Sequence, residues 1–312
     1  MEATITRVTE TIEIIVIRTL LYLEVLDAIP AQGSVSLTDI ASATSAQPSL
    51  LERLLRTVFG TEGLSKTENG DYSHTPESLT YTLGGGAFLE MFHDKVVIPF
   101  SIFPEYLEAK RHNLGLVEPG SSALQRLKIR LFTGVYDFDR LTTPDDPDRI
   151  VLVDVGGGQD HEITKILEVH PNIRPEQCVL QDRKKVIASP REESGLPSGV
   201  KCMVHDFYTL QPIEKARAYH FGAIAHDLSD INLVKILTQI CPDSKVLISE
   251  QVVPERGASG FVKLMDMGML AIGGKERTKE NLQEVLDEAG LKIDRIWKAK
   301  EGYFSVIEAR FK

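Results

Sequence analysis

The sequence predicts an α/β fold: a doubly wound sheet with a C-terminal antiparallel hairpin, preceded by a mainly α-helical, winged-helix-like domain. Three observations support this prediction. Short apolar runs alternate with helical patterns after residue 150, a turn separates the last two apolar runs, and helical periodicity dominates the N-terminal third. At roughly 150 residues per domain, the 312 residues suit a division into 1–145 and 146–312.

The first part is predicted to contain short helices and one hairpin. Apolar residues recur at helical spacing across residues 51–58, and Leu37–Ala41 suits a short helix with a polar start. Leu64–Ser73 suits a hairpin around Asn69-Gly70. The apolar stretch Ile12–Ile29 carries four charged residues, which predicts a buried helix rather than a membrane span. Such a unit either binds DNA or has a structural or dimerisation role.

The second part is predicted to alternate strands and helices, after a turn-rich acidic linker at Thr143–Asp148. The expected strands are Ile150–Val155, Cys178–Gln181, Lys201–Val204, Ala218–Ile224 and Lys245–Val252. The expected helices are Glu162–Val169, Leu233–Ile240 and Asn281–Ala289. Ile293–Trp297 and Phe304–Ala309, joined by a turn at Gly302, are expected to pair as an antiparallel hairpin. In such a sheet the ligand binds at the carboxyl ends of the strands.

Composition narrows the class of function. The 35 Lys and Arg against 45 Asp and Glu give a net charge of −10, which argues against nucleic-acid and anionic-membrane partners. The three cysteines are scattered and form neither a zinc-type spacing nor a disulfide framework. The start of the chain is not basic, which does not suit a secretory signal, so we expect a cytoplasmic protein. The scattered cysteines favour a protein with no metal.

A glycine-rich turn, Gly156-Gly157-Gly158, lies between the first strand of the second part and the following helix. Glycines let a ligand approach the backbone, and the helix start offers free N–H groups. The Gly-Lys-Ser/Thr of a phosphate loop is absent, and His161 stands where a dinucleotide pattern needs glycine. The turn therefore predicts a nucleotide-type ligand without phosphate recognition; the alternative is a purely structural turn. Asp182 and Asp206 follow the next two strands and are expected at the same crevice.

Six motifs occur in order across this part of the chain. They are Asp154-Val155-Gly156-Gly157-Gly158, Val179-Leu180-Gln181-Asp182, His205-Asp206-Phe207, His226-Asp227-Leu228-Ser229-Asp230, Ile248-Ser249-Glu250 and Gly273-Gly274-Lys275-Glu276-Arg277-Thr278. The series resembles the Rossmann-like class I methyltransferase fold, and within it the plant and fungal O-methyltransferases of the caffeate type. The first part resembles the dimerisation domain of that family, which implies a possible homodimer.

The resemblance implies that S-adenosyl-L-methionine binds in the crevice. By analogy with the family, Gly156 and Gly158 line the amino-acid end of this cofactor. Asp182 takes the ribose hydroxyls, and Asp206 with Phe207 holds the adenine.

The resemblance also implies that His226 is a general base, flanked and oriented by Glu250 and Glu276. Histidine titrates near neutral pH and can take the proton of a phenolic or acidic hydroxyl. A carboxylate on the far ring nitrogen would fix the tautomer and stabilise the imidazolium. Met265 and Met269 are either core residues or part of a pocket for a flat small-molecule substrate.

Other interpretations of His226 stay open. It is either a satisfied polar residue at a strand end, with Asp227 or Ser229 capping the next helix, or a metal ligand with Asp227 and Asp230. The chain also departs from the family pattern in three motifs. Asp160 stands in place of the last glycine of the loop, Gly222 in place of a Lys or Arg, and Leu228 in place of an aromatic residue.

The chain also looks short for the family, with a short N-terminal extension and an abbreviated stretch between Gly84 and Asp146, which bears on the dimer and the substrate pocket. Three hypotheses follow. The first is an O-methyltransferase acting on a hydroxyl of a small secondary metabolite. The second is a methyltransferase-like cyclase or pericyclase that transfers no methyl group. The third is a non-catalytic scaffold, for which only the fold argues.

Overall fold

A computed structural model of the chain describes residues 1–58, 63–101, 103–104, 134–142, 146, 148–158, 161–188, 196–271, 273–299 and 304–312. Residues up to 104 belong to one unit and residues from 134 onwards to a second. Asp160, the turn at Gly302 and most of the linker expected at Thr143–Asp148 lie outside the described residues.

The first unit contains the predicted helices and hairpin. Its elements are α1 (Glu2–Tyr22), α2 (Leu37–Thr44), α3 (Pro48–Val58), β1 (Leu64–Lys66), β2 (Tyr72–His74), α4 (Pro76–Thr80), α5 (Gly86–Phe92) and α6 (Ile98–Ser101), with a kink within Tyr81–Gly85 and a π-helical turn at His93–Val97. Helix α2 begins after Ser36, whose hydroxyl accepts the N–H of Asp39. Strands β1 and β2 are antiparallel. The side chains of Leu20, Ile40 and Leu51 form part of the fully buried core.

The prediction that Ile12–Ile29 is one buried helix is wrong. Helix α1 ends at Tyr22, and only Val16 and Leu20 on it are buried. A second apolar row on the same helix is about half exposed, with exposed fractions of 58% at Ile5 and 48% at Ile12. Helix α1 has apolar residues on two of its faces, and only one of these faces packs within its own unit. None of the helices in the described ranges is both long and apolar enough to cross a bilayer.

The second unit contains every strand and helix predicted for it. Its elements are β3 (Leu152–Val155), α7 (His161–Val169), β4 (Cys178–Asp182), α8 (Lys184–Ile187), β5 (Lys201–Val204), β6 (Ala218–Gly222), α9 (Asp230–Leu237), β7 (Lys245–Val253), α10 (Gly260–Ala271), β8 (Arg277–Thr278), α11 (Lys279–Glu288), β9 (Leu291–Lys298) and β10 (Phe304–Phe311). Helix α9 starts three residues earlier than predicted, since Ser229 caps it by accepting the N–H of Asn232.

The sheet has the order β5-β4-β3-β6-β7-β10-β9, with β8 paired to β7. Strands β3 to β7 are parallel, and β10 runs antiparallel to both β7 and β9, as predicted for a doubly wound sheet with a terminal hairpin. The carboxyl ends of the parallel strands therefore share one edge, where ligands of such sheets bind. Their amino ends share the opposite edge.

Each face of this sheet carries its own apolar cluster. Val153 and Ile248 face one cluster, and their neighbours Leu152 and Leu247 face the other, because side chains alternate along a strand. Tyr136 and Phe138 are buried in the second cluster, where Tyr136 meets Trp297 edge-on. Residues 134–142 thus pack as part of the second unit, and a division at residue 145 stays a prediction.

Candidate active site

The glycine turn after β3 is held tightly beneath the end of β4. Gly156 and Gly158 have φ values of +72° and +62°, a region that favours glycine. A Cβ on Gly156 would lie 2.8 Å from Cδ1 of Ile224, and one on Gly157 would lie 2.4 Å from Oδ2 of Asp154. The backbone N–H groups of Gly156 and Gly157 both donate to the carbonyl oxygen of Gln181. The turn thus places bare backbone at the edge where the strands end.

The acidic residues predicted for the crevice follow β4 and β5. The half-buried Asp182 accepts the N–H of Gly158 at Oδ2, over 2.9 Å, so this carboxylate adjoins the glycine turn. Phe207 also adjoins the turn, with Cε1 3.7 Å from the position that a Cβ on Gly156 would take. Asp206 is exposed, and its Oδ1 accepts the N–H of the residue two positions on.

His226 lies on a short 3-10 turn, Ala225–Asp227, beyond the end of β6. Its side chain is 14% exposed. Atom Nδ1 lies 3.1 Å from Oε1 of Glu276 and 3.2 Å from Oε2 of Glu250, and both glutamates are buried. Glu250 also accepts the backbone N–H of His226 at Oε1. The structure therefore brings the three predicted residues together, with Nδ1 facing both carboxylates.

The other ring nitrogen of His226 is differently placed. Its nearest carboxylate oxygen is Oδ1 of Asp227, at 3.7 Å, and Nε2 makes no hydrogen bond with any described residue. Because Nδ1 needs its proton to donate to Glu276, a neutral His226 carries its lone pair on Nε2. The buried pair of glutamates thus selects the tautomer in which Nε2 is the basic atom.

The carboxylates also set the protonation of the cluster. Burial lowers the pKa of His226, but the charge of Glu250 and the hydrogen bond to Glu276 outweigh it and raise that pKa to about 10. Burial raises the pKa of Glu250 to about 7, despite the opposing charge of His226. The glutamates therefore favour the protonated ring, and the neutral form of His226 is a stronger base than an ordinary histidine.

Arg277 holds the turn that carries His226, a role that the sequence analysis missed. The buried guanidinium donates to the carbonyl oxygens of Ala225 and Leu228, over 2.6 and 2.7 Å, and to Oδ1 of Asp230 over 2.8 Å. It therefore ties together the residues on both sides of His226. The one available signal was an arginine beside Glu276 in the last motif.

The turn between α10 and β8 packs directly on the backbone of His226. The N–H of Lys275 donates to the His226 carbonyl oxygen over 2.7 Å. A Cβ on Gly274 would lie only 2.1 Å from that same oxygen. Gly274 therefore permits a close approach that no other residue would allow.

Metal ligation by His226 with Asp227 and Asp230 is not what the structure shows, because Asp230 pairs with Arg277 and with Lys275, the latter at 3.1 Å. His226, Glu250 and Glu276 do offer ligand atoms within 4.8 Å of one another. A metal there would compete with the hydrogen bond at Nδ1, so the absence of a metal stays a prediction.

Two of the departures from the family pattern have structural reasons. A Cβ on Gly222 would lie 2.9 Å from Cε1 of His220, a buried ring that bonds to Asp154 and Ser249. Leu228 is buried in an apolar cluster.

Met265 and Met269 are buried on α10. Their burial suits a core position and does not test a contribution to a substrate pocket.

The sheet order, the glycine turn and the residues at the strand ends define the class I methyltransferase fold. Residues 134–292 match the model of the O-methyltransferase domain, and residues 11–84 match that of the O-methyltransferase dimerisation domain. The chain belongs to the O-methyltransferase family.

Methyltransferase pynC of Aspergillus niger is 30% identical over 321 residues, which cover 88% of this chain and 87% of that protein. OxaC in complex with SAH and oxaline has a TM-score of 0.86 at 23% identity, covering 99% of this chain and 87% of that one. A structure described as a pericyclic reaction enzyme has a TM-score of 0.82 at 20% identity, covering 99% and 89%. These two structures support the fold alone. The similar sequences are fungal, so the family is stated without the plant, caffeate-type subdivision expected above.

S-adenosyl-L-methionine is the cofactor of this family. The described residues fit it chemically. The turn offers bare backbone with open space around Gly158, a carboxylate adjoins the turn at Asp182, and an aromatic ring does so at Phe207.

Proposed function

We propose that this chain is an S-adenosyl-L-methionine-dependent O-methyltransferase that acts on a phenolic or other acidic hydroxyl of a small secondary metabolite, with His226 as the general base. One observation carries the proposal: Nδ1 of His226 donates to the buried Glu276 and lies 3.2 Å from a carboxylate oxygen of the buried Glu250, while Nε2 has no hydrogen-bond partner among the described residues. An imidazole held in this way can accept a proton at one defined atom.

In the proposed site the cofactor lies along the carboxyl ends of β3 to β6. Gly156 and Gly158 line its amino-acid end, Asp182 accepts its ribose hydroxyls, and Asp206 with Phe207 holds its adenine. When bound, it supplies a methyl group on a cationic sulfur. The positive-φ glycines and the acid at the end of β4 support this arrangement, since both occur at the ligand crevice of such sheets.

The residues of the chain move one proton. Nε2 of His226 takes the hydroxyl proton, and the ring becomes an imidazolium that Glu250 and Glu276 stabilise through Nδ1. Arg277 and Gly274 act as positioning residues, because both contact the backbone around His226. Much of the rate would come from the fixed orientation of Nε2 relative to the substrate oxygen.

A second candidate is a methyltransferase-like enzyme that rearranges or cyclises its substrate without methyl transfer. The observation that favours it is the raised pKa of His226, which makes the ring a hydrogen-bond donor at neutral pH. Here Nε2–H would donate to a carbonyl oxygen of the substrate. The fold is shared with a pericyclic reaction enzyme.

The pH dependence of turnover separates the two candidates. A general base works only when neutral, so kcat/KM for methyl transfer should rise with pH, by roughly tenfold per unit, as the pH approaches the pKa of about 10. A ring acting as a donor predicts the reverse, with turnover constant below that pH and falling above it. Methyl transfer to a panel of phenols, measured as an increase in product mass, provides the rate for the first candidate. Formation of a rearranged product of unchanged mass provides the rate for the second.

Two phenols of different acidity form the control for this profile. If His226 controls the profile, kcat/KM bends at the same pH with both phenols. If ionisation of the substrate controls it, the bend moves with the pKa of the phenol. A profile for methyl transfer that is flat over this range with both phenols would contradict a base of raised pKa.

We further propose that α1 forms part of a homodimer interface, consistent with the dimerisation-domain match. Its exposed apolar side chains recur at alternating spacings of four and three, at Met1, Ile5, Val8, Ile12 and Ile15. This is the spacing of a helix–helix seam, and an exposed apolar row of this length marks an interaction surface. A second copy of the same helix is its complement.

Replacing Ile12 with aspartate should therefore dissociate the dimer. A charge placed in an apolar seam loses hydration without a partner, so we expect the dissociation constant to rise about a hundredfold or more. Sedimentation equilibrium measures the change. Arg7→Asp adds the same side chain at an exposed position outside the row and should leave the dimer intact. A dimer unaffected by Ile12→Asp would exclude α1 from the interface.

A further inference from the structure

A cavity lies at the edge of the sheet opposite the candidate active site. It has a volume of about 460 Å³ and lies where β3, β6 and β7 begin. Its cationic lining residues are Arg140, Arg149, Arg217, Lys245 and Arg310. Among the lining residues that the structure describes, Asp243 is the one acidic residue. In a chain with a net charge of −10, this concentration of cations is a local feature and not a property of the whole surface.

Three of these cations make no ion pair with any described residue. Lys245 pairs with Glu308, and Arg310 pairs with Asp294. Arg149 instead donates from Nε and Nη2 to the backbone carbonyl oxygens of Lys215, Ala216 and Asp243, and its Nη1 makes no hydrogen bond with a described residue. The cavity therefore keeps an excess of positive charge.

The two remaining arginines, Arg140 and Arg217, also line the cavity. Arg140 lies over the ring of Trp297, 5.0 Å from its centre. The half-buried Arg217 directly precedes β6, and its guanidinium makes no hydrogen bond or ion pair within the described part of the chain. The guanidinium of Arg217 thus offers hydrogen-bond donors to the cavity that no described residue accepts.

The chemistry of the cavity selects its ligand. Guanidinium groups bind the oxygens of phosphate in pairs, a geometry that lysine cannot reproduce. The volume falls in the range of small-molecule sites, which is larger than a single inorganic ion requires. Leu141 and Phe311 add an apolar wall.

We propose that this cavity binds a phosphate-bearing small molecule, with the phosphate on Arg217 and on Nη1 of Arg149, and with an apolar body against Phe311. The site is distinct from the proposed methyl-transfer site. Strand β6 alone separates the two edges by five residues, or about 16 Å at 3.3 Å per residue. A ligand here would therefore leave the crevice at the carboxyl ends free.

Calorimetric titration with phenyl phosphate and with inorganic phosphate tests this proposal. The protein is first saturated with S-adenosylhomocysteine and with phenol, so that neither the cofactor position nor the acceptor position of the proposed methyl-transfer site contributes. We expect phenyl phosphate still to bind, and added salt to weaken the interaction. Tighter binding of phenyl phosphate than of inorganic phosphate supports an ester as the ligand. Equal binding supports free phosphate at the same arginines.

Substitution of Arg217 assigns the binding to this cavity. Arg217→Ala should lower the affinity for phenyl phosphate by about tenfold or more, and Arg217→Lys should retain only part of the wild-type affinity. Lys201→Ala is the matched control, since Lys201 is exposed on the edge strand β5, and it should leave the affinity unchanged. Thermal melting verifies the fold of each variant. Absence of phosphate binding at low salt, or equal affinity in folded Arg217→Ala, would overturn the proposal.

Discussion

Replacing His226 with alanine is expected to lower methyl transfer by about a hundredfold or more, the usual contribution of a general base. The reason lies in the proton path, because the substrate hydroxyl then has no acceptor in the place of Nε2. Glu250 and Glu276 cannot substitute for it, since both are buried behind the ring at Nδ1. Steady-state measurement of kcat and KM with a methyl-accepting phenol provides the comparison.

Loss of His226 also leaves two buried carboxylates without their cation, so folding needs its own control. His226→Gln retains a polar side chain that can donate towards Glu276 but is not a base. It should fold more stably than His226→Ala and be equally slow. A wild-type rate of methyl transfer in either variant would contradict the assignment of His226 as the base.

Gly274→Ala is expected to slow turnover almost as much, although Gly274 has no chemical function. Its new Cβ would lie 2.1 Å from the carbonyl oxygen of His226, a distance at which one of the two backbones must move. A displacement of about 1 Å in a catalytic group can lower the rate by a factor of 10². Because the change acts on orientation, kcat should fall while the affinity for S-adenosylhomocysteine stays near that of the wild type.

Gly260→Ala is the matched control for this prediction. Gly260 begins α10, and a Cβ there has no atom within 4 Å. The added methyl group should leave turnover unchanged and slightly raise stability by restricting the unfolded chain. Wild-type kcat in Gly274→Ala would show that the contact with His226 does not position it.

Much of the second unit is predictable from the sequence, because its central strands β3, β4, β6 and β7 are mostly buried. Buried parallel strands are short apolar runs, and the runs at β3, β4 and β7 are bounded by glycine or charged residues. The end of β6 shows the limit of this approach. Ile224 continues the apolar run, but Ala223 has a φ of +51° and turns the chain towards His226. That conformation depends on tertiary packing.

The candidate site was predictable where the family resemblance implies a role for a residue, and not where a residue acts through burial. The cluster of His226, Glu250 and Glu276 follows from motif order, and the structure brings those side chains together. Arg277 was missed because a single sequence gives no sign that an arginine is buried. The exposed row of apolar residues on α1 was missed because apolar residues are expected in the buried core.

The central claim is that the strand-end crevice binds the methyl donor beside His226. Calorimetric titration with S-adenosyl-L-methionine and S-adenosylhomocysteine tests it most directly, because no substrate is needed. The account predicts micromolar binding of both, lost in Asp182→Ala and retained in His226→Ala. No binding of either ligand to the folded wild-type protein would contradict the account, as would equal binding by folded Asp182→Ala.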